Sequence, residues 1–105
     1  MKKWLLLLSL FFTPHVIAAQ AGLILDVRTP NEYQQEHVAG AINVEYQMIG
    51  QEITRLAPDK KAPIVLYCKS GRRAGIALEQ LKKMGYSQIE NAGGLEDMKK
   101  RLLKR

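Results

Sequence analysis

The residues best suited to chemistry follow a short apolar run, in the segment Cys68-Lys69-Ser70-Gly71-Arg72-Arg73. Cys68 is the only cysteine of the chain, so it cannot form an intramolecular disulfide. Three cationic side chains lie beside it in sequence, and nearby cations lower the pKa of a thiol by stabilising its anion. We therefore predict that Cys68 is a thiolate nucleophile; the alternative for an isolated cysteine is a buried, inert thiol.

The segment after Cys68 has the features of an anion-binding loop. Gly71 permits backbone angles that other residues avoid, so successive amides can turn inward toward one point. A helix that begins near Arg73 would direct the positive end of its dipole to the same point. Backbone amides discriminate little among small anions, so the loop could hold a substrate as well as the sulfur anion. The candidate substrate-binding residues are Lys69, Ser70, Gly71, Arg72 and Arg73.

The length of this loop bears on the class of enzyme. Arg73 closes a C-x4-R segment, whereas cysteine phosphatases use C-x5-R to surround a tetrahedral phosphate, and Ala74 stands where a phosphatase would need its arginine. Arsenate reductases use a similar cysteine loop. Both classes are therefore disfavoured alternatives.

Strand and helix patterns alternate around the loop. Short apolar runs at 23–27, 41–44, 63–67 and 88–90 are typical of buried strands. Helical spacing of apolar residues follows at 46–56, at 74–84 and at about 95–103, while Thr29-Pro30-Asn31-Glu32 carries a capping box with proline at the first helical position. Asn91-Ala92-Gly93-Gly94 is expected to form a tight turn at the rim of the site.

This alternation predicts one doubly wound α/β domain with a mostly parallel central sheet, because parallel neighbours need long crossover connections. In such folds a ligand binds beyond the carboxyl ends of the strands. Cys68 follows a predicted strand and so lies at one of these ends.

The amino terminus has the pattern of a secretory signal peptide. Lys2 and Lys3 precede an apolar run, and the small residues Ala18, Ala19 and Ala21 offer cleavage sites. We predict a signal peptide at 1–19, cleaved near 18–21, and a mature domain at 20–105 in the periplasm. An uncleaved membrane anchor is the alternative, but the apolar stretch is shorter than the roughly 20 residues that span a bilayer.

Charge and composition limit the partners. Removal of Lys2 and Lys3 lowers Lys+Arg from 16 to 14 against 10 Asp+Glu, so the net charge falls from +6 to +4. This moderate basicity favours small anionic substrates over nucleic acid, which needs a concentrated basic face with stacking aromatics. One cysteine and two histidines do not form a usual metal site, and no cofactor is expected. We expect a monomer with no stable membrane insertion after cleavage.

Five segments together resemble the rhodanese domain in order and spacing over essentially the whole mature chain. They are Asp26-Val27-Arg28, Glu32-Tyr33, Glu36 to Val44, Cys68 to Arg73, and Asn91 to Leu95. One departure is Glu36, since glycine often precedes the motif histidine in this family.

The resemblance implies thiosulfate sulfurtransferase activity. Cys68 would attack the outer sulfur of thiosulfate, release sulfite and become a persulfide, from which cyanide or a thiol takes the sulfur. The resemblance also implies that Asp26 pairs with Arg73 to support the loop, and that His37 makes a structural hydrogen bond. The alternative is a noncatalytic sulfur carrier or protein-binding module.

Overall fold

The computed structural model describes residues 22–104. The predicted signal peptide and its cleavage site lie outside these residues. The strands are β1 Leu23–Asp26, β2 Ile42–Asn43, β3 Ile64–Cys68 and β4 Ile89–Gly94. The helices are α1 Pro30–Gln35, α2 Ile49–Leu56, α3 Arg72–Lys83 and α4 Leu95–Leu103, with a 3-10 turn at Tyr46–Met48 before α2.

The four strands form one sheet in the order β2-β1-β3-β4, and every neighbouring pair is parallel. The predicted parallel α/β sheet is thereby confirmed. β1 and β3 are the two central strands, so the residues that follow them meet at the middle of the carboxyl edge of the sheet.

Helices cover both faces of the sheet, because alternate residues of a strand point to opposite sides. In β3, Leu66 and Cys68 join the core on the side of α2 and α3, whereas Val65 and Tyr67 face the side of α4. The side chain of Cys68 therefore projects toward the start of α3.

The start of α1 follows its sequence signals closely. The Thr29 hydroxyl accepts from the Glu32 backbone N–H at 3.2 Å, and a Glu32 carboxylate oxygen accepts from the Thr29 backbone N–H at 3.0 Å. This reciprocal pair is the predicted capping box, and it fixes the Glu32 carboxylate at the amino-terminal end of the helix.

The carboxyl end of β4 differs from the expected tight turn. Leu66 pairs with Asn91 and Cys68 pairs with Gly94, so β4 contains one residue more than β3 between these two pairs. The extra residue is accommodated by a β-bulge in which Gly93 has a φ of +92°. The glycines allow the strand to continue past the bulge, which places residues 91–94 directly beside the cysteine loop.

Candidate active site

Cys68 is the last residue of β3, and α3 begins only four residues later. Gly71 is the residue before α3, with a φ of +104° that strongly favours glycine. The chain therefore turns from strand to helix within a very short loop, and it does so around the cysteine side chain.

Two backbone N–H groups donate hydrogen bonds to the Cys68 sulfur. The N–H of Gly71 lies 3.0 Å from Sγ and that of Ala74 lies 3.4 Å from it. The inward turn of the amides that the sequence predicts is thus observed. Only 1% of Cys68 is exposed, so the sulfur lies beneath its own loop, where a reactant must be small or must reach in.

The pKa of the Cys68 thiol is lowered from its ordinary value by the balance of two effects. Burial is the largest single influence and raises the pKa, because it disfavours the charged form. Backbone hydrogen bonds from Ala74, Ser70, Gly71 and Arg73 act in the opposite direction and together outweigh burial. The loop therefore shifts the Cys68 equilibrium toward the thiolate, at a position where burial alone would shift it toward the neutral thiol.

The other predicted loop residues divide by exposure. Lys69, Ser70 and Arg72 are exposed, so their side chains lie around the loop rather than under it. Arg73 is half-buried and its side chain is turned toward α1.

The predicted pair between Asp26 and Arg73 does not form. Arg73 instead donates two hydrogen bonds to Glu32, with Nη1–Oε1 at 2.9 Å and Nη2–Oε2 at 3.1 Å. Asp26 forms an ion pair with Arg28 instead, with Nη2 of Arg28 2.6 Å from Oδ2 of Asp26. The sequence resemblance identified the residues near the loop but assigned Arg73 to the wrong carboxylate.

Glu32 thus serves two structural elements at once. It completes the capping box of α1 and holds the arginine that ends the loop. The hydrogen bonds from Arg73, together with those from Thr29, lower the pKa of Glu32 to about 2 despite partial burial. Its capping-box position was visible in the sequence, but nothing in the sequence indicated its contact with Arg73, 41 residues away.

A second buried network lies under the base of the loop. Tyr67, the residue before Cys68, donates from its hydroxyl to Asp26 at 2.8 Å and accepts from the Val38 N–H at 3.2 Å. Arg28 joins the network through Asp26 and donates to the Glu36 carbonyl at 2.6 Å. Burial and the neighbouring Asp26 raise the pKa of Tyr67 to about 12. The network ties the carboxyl ends of β1 and β3 to the segment after α1.

The far side of the loop is closed by β4. A Cβ atom on Gly94 would overlap the carbonyl oxygen of Lys69, so the two backbones approach as closely as only glycine permits. A groove of about 390 Å³ opens beside Lys69 between α1 and α4. Charged residues of both signs line it, including Arg28, Glu36 and Glu96.

His37 is exposed and makes a structural contact, as predicted. Its ring stacks on that of Tyr33 with centroids 3.6 Å apart, and Nδ1 lies 2.7 Å from the Tyr33 carbonyl oxygen, to which it donates.

Within residues 22–104 we find no group of side chains that could hold a metal ion. The helices described in the same range are all too short or too polar to cross a membrane.

The structure is thus an all-parallel α/β domain whose cysteine sits in an amide-lined loop at the end of a central strand, an arrangement that stabilises a sulfur anion. The family model for the rhodanese-like domain matches residues 14–101, and the chain belongs to this family. The predicted family is confirmed.

Three relatives illustrate the similarity. Thiosulfate sulfurtransferase PspE of Escherichia coli (strain K12) is 47% identical over 97 residues, which are 92% of this chain and 91% of the relative. Thiosulfate sulfurtransferase GlpE of Coxiella burnetii is 31% identical over 78 residues, or 73% and 71% of the two chains. A solved structure described as rhodanese with anions from E. coli superposes with a TM-score of 0.69 at 48% identity, covering 71% of this chain and 88% of that one.

Proposed function

We propose that this protein is a thiosulfate sulfurtransferase that carries sulfur as a persulfide on Cys68. The observation that carries the proposal is the pair of backbone N–H groups aimed at the sulfur of the sole cysteine. Similarity to two thiosulfate sulfurtransferases, each over more than two thirds of both chains, supports the same reaction.

The first half of the reaction forms the persulfide. The Cys68 thiolate attacks the outer sulfur of thiosulfate, the sulfur–sulfur bond of thiosulfate breaks, and sulfite leaves with the bonding electron pair. The backbone amides lower the pKa of Cys68 and so favour the thiolate that makes this attack, which is why we assign no separate general base to the step.

The second half returns the enzyme to its starting state. A nucleophilic acceptor, cyanide or a thiolate, attacks the terminal sulfur of the persulfide, and Cys68 leaves as a thiolate. The products are thiocyanate or the persulfide of the acceptor, and no outside oxidant or reductant is required. Two separate half-reactions predict ping-pong kinetics.

The remaining site residues stabilise negative charge, attract the substrate or support the loop. The amides of Ser70, Gly71 and Ala74 stabilise negative charge on Cys68 and on its persulfide. The exposed cations Lys69 and Arg72 attract the thiosulfate dianion. Asp26 and Arg73 support the loop through their separate partners, Arg28 and Glu32.

The contact of Arg73 with Glu32 also favours sulfur transfer over phosphatase chemistry. Two of its guanidinium nitrogens are committed to the carboxylate rather than directed into the loop. Together with the short C-x4-R spacing, this argues against a loop built to surround phosphate.

Export to the periplasm is part of the proposal. It is supported by the two-lysine start, the apolar run and the small residues near 18–21 in the sequence. We infer that the mature domain works there as a monomer on small molecules, with thiosulfate as donor and a thiol or cyanide as acceptor.

The test compares the native protein with Cys68→Ala. Incubation of the native protein with thiosulfate should add the mass of one sulfur atom at Cys68, and subsequent cyanide should remove it as thiocyanate. Cys68→Ala should do neither. The proposal fails if the native protein gains no sulfur and makes no thiocyanate, or if it instead hydrolyses an aryl phosphate through Cys68. A stable persulfide that no acceptor discharges would indicate a carrier rather than an enzyme.

A further inference from the structure

Asn91 lies in β4 just before the bulge, facing the cysteine loop. Its amide nitrogen Nδ2 donates to the Gly71 carbonyl at 2.9 Å, and its oxygen Oδ1 accepts from the Gly93 N–H at 2.9 Å. The two contacts fix the orientation of the amide, because exchange of its nitrogen and oxygen would oppose donor to donor and acceptor to acceptor. Asn91 therefore joins the bulge of β4 to the residue at the turn of the loop.

The carbonyl that Asn91 holds belongs to the residue with the most restrictive geometry in the loop. Gly71 has a φ of +104°, and its N–H is the donor nearest to the Cys68 sulfur. The same carbonyl accepts the first hydrogen bond of α3, from the Gly75 N–H at 2.9 Å. Since glycine has access to both positive and negative φ, its conformation here depends on contacts such as these.

The space around the Asn91 side chain is shaped by glycines. A Cβ atom on Gly71 would lie 3.8 Å from its amide oxygen, and one on Gly75 would lie 3.5 Å from its amide nitrogen. Gly93 lies on the third side, with its N–H bonded to the same amide. The amide is thus in contact distance of the start of α3, although the residue itself is exposed.

We propose that Asn91 is a positioning residue of the sulfur-transfer site, whose amide holds the Gly71 carbonyl and thereby keeps the Gly71 N–H directed at Cys68. Asn91 does not touch the sulfur and acts only through Gly71. The expected effect of Asn91 on the rate of sulfur transfer rests on the proposed function, whereas its expected effect on the reactivity of the Cys68 thiol does not.

The experiment measures the reactivity of Cys68 toward iodoacetamide, a neutral reagent, as a function of pH. Asn91→Ala removes both contacts of the amide. Asn91→Asp keeps an acceptor for the Gly93 N–H but loses the donor to the Gly71 carbonyl. Measurement in high salt screens the added carboxylate. Lys60→Met is the control, because it removes an exposed side-chain bond to the Met84 carbonyl at the opposite end of α3.

Both Asn91 variants should react at neutral pH about three- to tenfold more slowly than the native protein, the effect of one lost hydrogen bond. Their pH profiles should move to higher pH, while Lys60→Met should keep the native profile. Native reactivity in Asn91→Asp would overturn the proposal, since only the bulge contact would then matter. Native reactivity in Asn91→Ala would overturn it as well.

Two further measurements separate the positioning role of Asn91 from a general loss of the fold and from a failure of the proposed function. Urea unfolding of each variant shows whether slower alkylation reflects unfolding. If Asn91→Ala folds poorly, the alkylation profile of Asn91→Asp alone tests the proposal. Thiocyanate formation is measured on the native protein. Alkylation needs no sulfur donor, so a native protein that makes no thiocyanate would reject the proposed function and leave the role of Asn91 to be decided by the alkylation profiles.

Discussion

At the scale of the residue, the chemistry depends on which of two effects prevails at Cys68. A sulfur that is almost completely buried should be a neutral, inert thiol, which is the common state of a lone cysteine. Backbone N–H groups of the loop and of the first turn of α3 oppose this preference and lower the pKa of the thiol. They are fixed in place by the fold, so they stabilise negative charge without having to reorganise during the reaction.

Glu32 provides a residue-scale prediction about stability. Glu32→Gln keeps an oxygen that can accept from Thr29 but loses the charge that pairs with Arg73. We expect the free energy of unfolding at pH 7 to fall by about 1 to 2 kcal/mol, a discounted value because both side chains are partly exposed. Urea unfolding measures this change.

The pH dependence of the same variant follows from the lowered pKa. The stabilisation is complete above the ordinary value of 4.5 and is lost as the pH falls toward the folded value of about 2. The difference between the native protein and Glu32→Gln should therefore shrink between about pH 5 and about pH 3. Glu52→Gln, in an exposed pair with Arg55, is the control and should cost at most about 0.5 kcal/mol. A constant difference across this pH range would contradict the prediction.

At the scale of the element, the loop is shaped by its neighbours as much as by its own sequence. α1 holds Arg73 through Glu32, and Gly94 of β4 packs closely against the Lys69 carbonyl. The buried network of Asp26 and Tyr67 joins the ends of β1 and β3 beneath it. Every buried polar side-chain atom in residues 22–104 has a partner, so this part of the core is fully satisfied.

Gly94 provides the element-scale prediction. Gly94→Ala places a methyl group into the Lys69 carbonyl, and since the φ of Gly94 is −106°, crowding rather than backbone strain is the cause of the effect. We expect the loop to be displaced from β4 and thiocyanate formation to fall by at least about tenfold, the effect of moving a catalytic group out of place.

Gly40→Ala is the matched control for that substitution. Gly40 has a φ of +86°, but no atom lies within 4 Å of an added Cβ. Alanine there should cost roughly 1 to 2 kcal/mol of stability through backbone strain and leave the rate of sulfur transfer unchanged. Equal activity in Gly94→Ala and the native protein would show that the loop tolerates separation from β4.

At the scale of the whole molecule, the parallel topology decides where the residues of the site come together. Parallel strands bring the ends of β1 and β3 to the centre of one sheet edge, so Asp26 contacts Tyr67, the residue before Cys68, although 41 positions separate the two. The net charge of +4 expected after cleavage suits a small dianion as substrate.

Export gives the whole-molecule prediction. The full chain expressed in a bacterial host should be recovered from the periplasm with a mass that corresponds to cleavage near 18–21, because a signal peptidase cuts after small residues. Intact mass spectrometry of the periplasmic fraction reads the cleavage site and any extra sulfur on Cys68 together. Recovery of uncleaved protein from the membrane fraction would instead support the anchor.

Local patterns in the sequence determined most of the elements and singled out the candidate nucleophile. The capping box at Thr29 and Glu32, the strand at 63–67 and the helical spacing at 74–84 are local signals, and the structure has each of these elements, with Cys68 as the last residue of its strand. Such patterns also supported the family, through motifs whose order along the chain is itself informative.

The tertiary structure alone decided which partners these residues find. Arg73 could have paired with Asp26 or with Glu32, and the sequence does not indicate which carboxylate it contacts. In the structure, α1 places Glu32 beside Arg73, and Asp26 is already paired with Arg28. Likewise, the glycines of 91–94 predicted a turn, but these residues pair with β3 and form a bulged strand. This strand places the Asn91 amide in contact with the Gly71 carbonyl. Side-chain partners far apart in sequence depend on how the elements pack, and no local pattern contains that information.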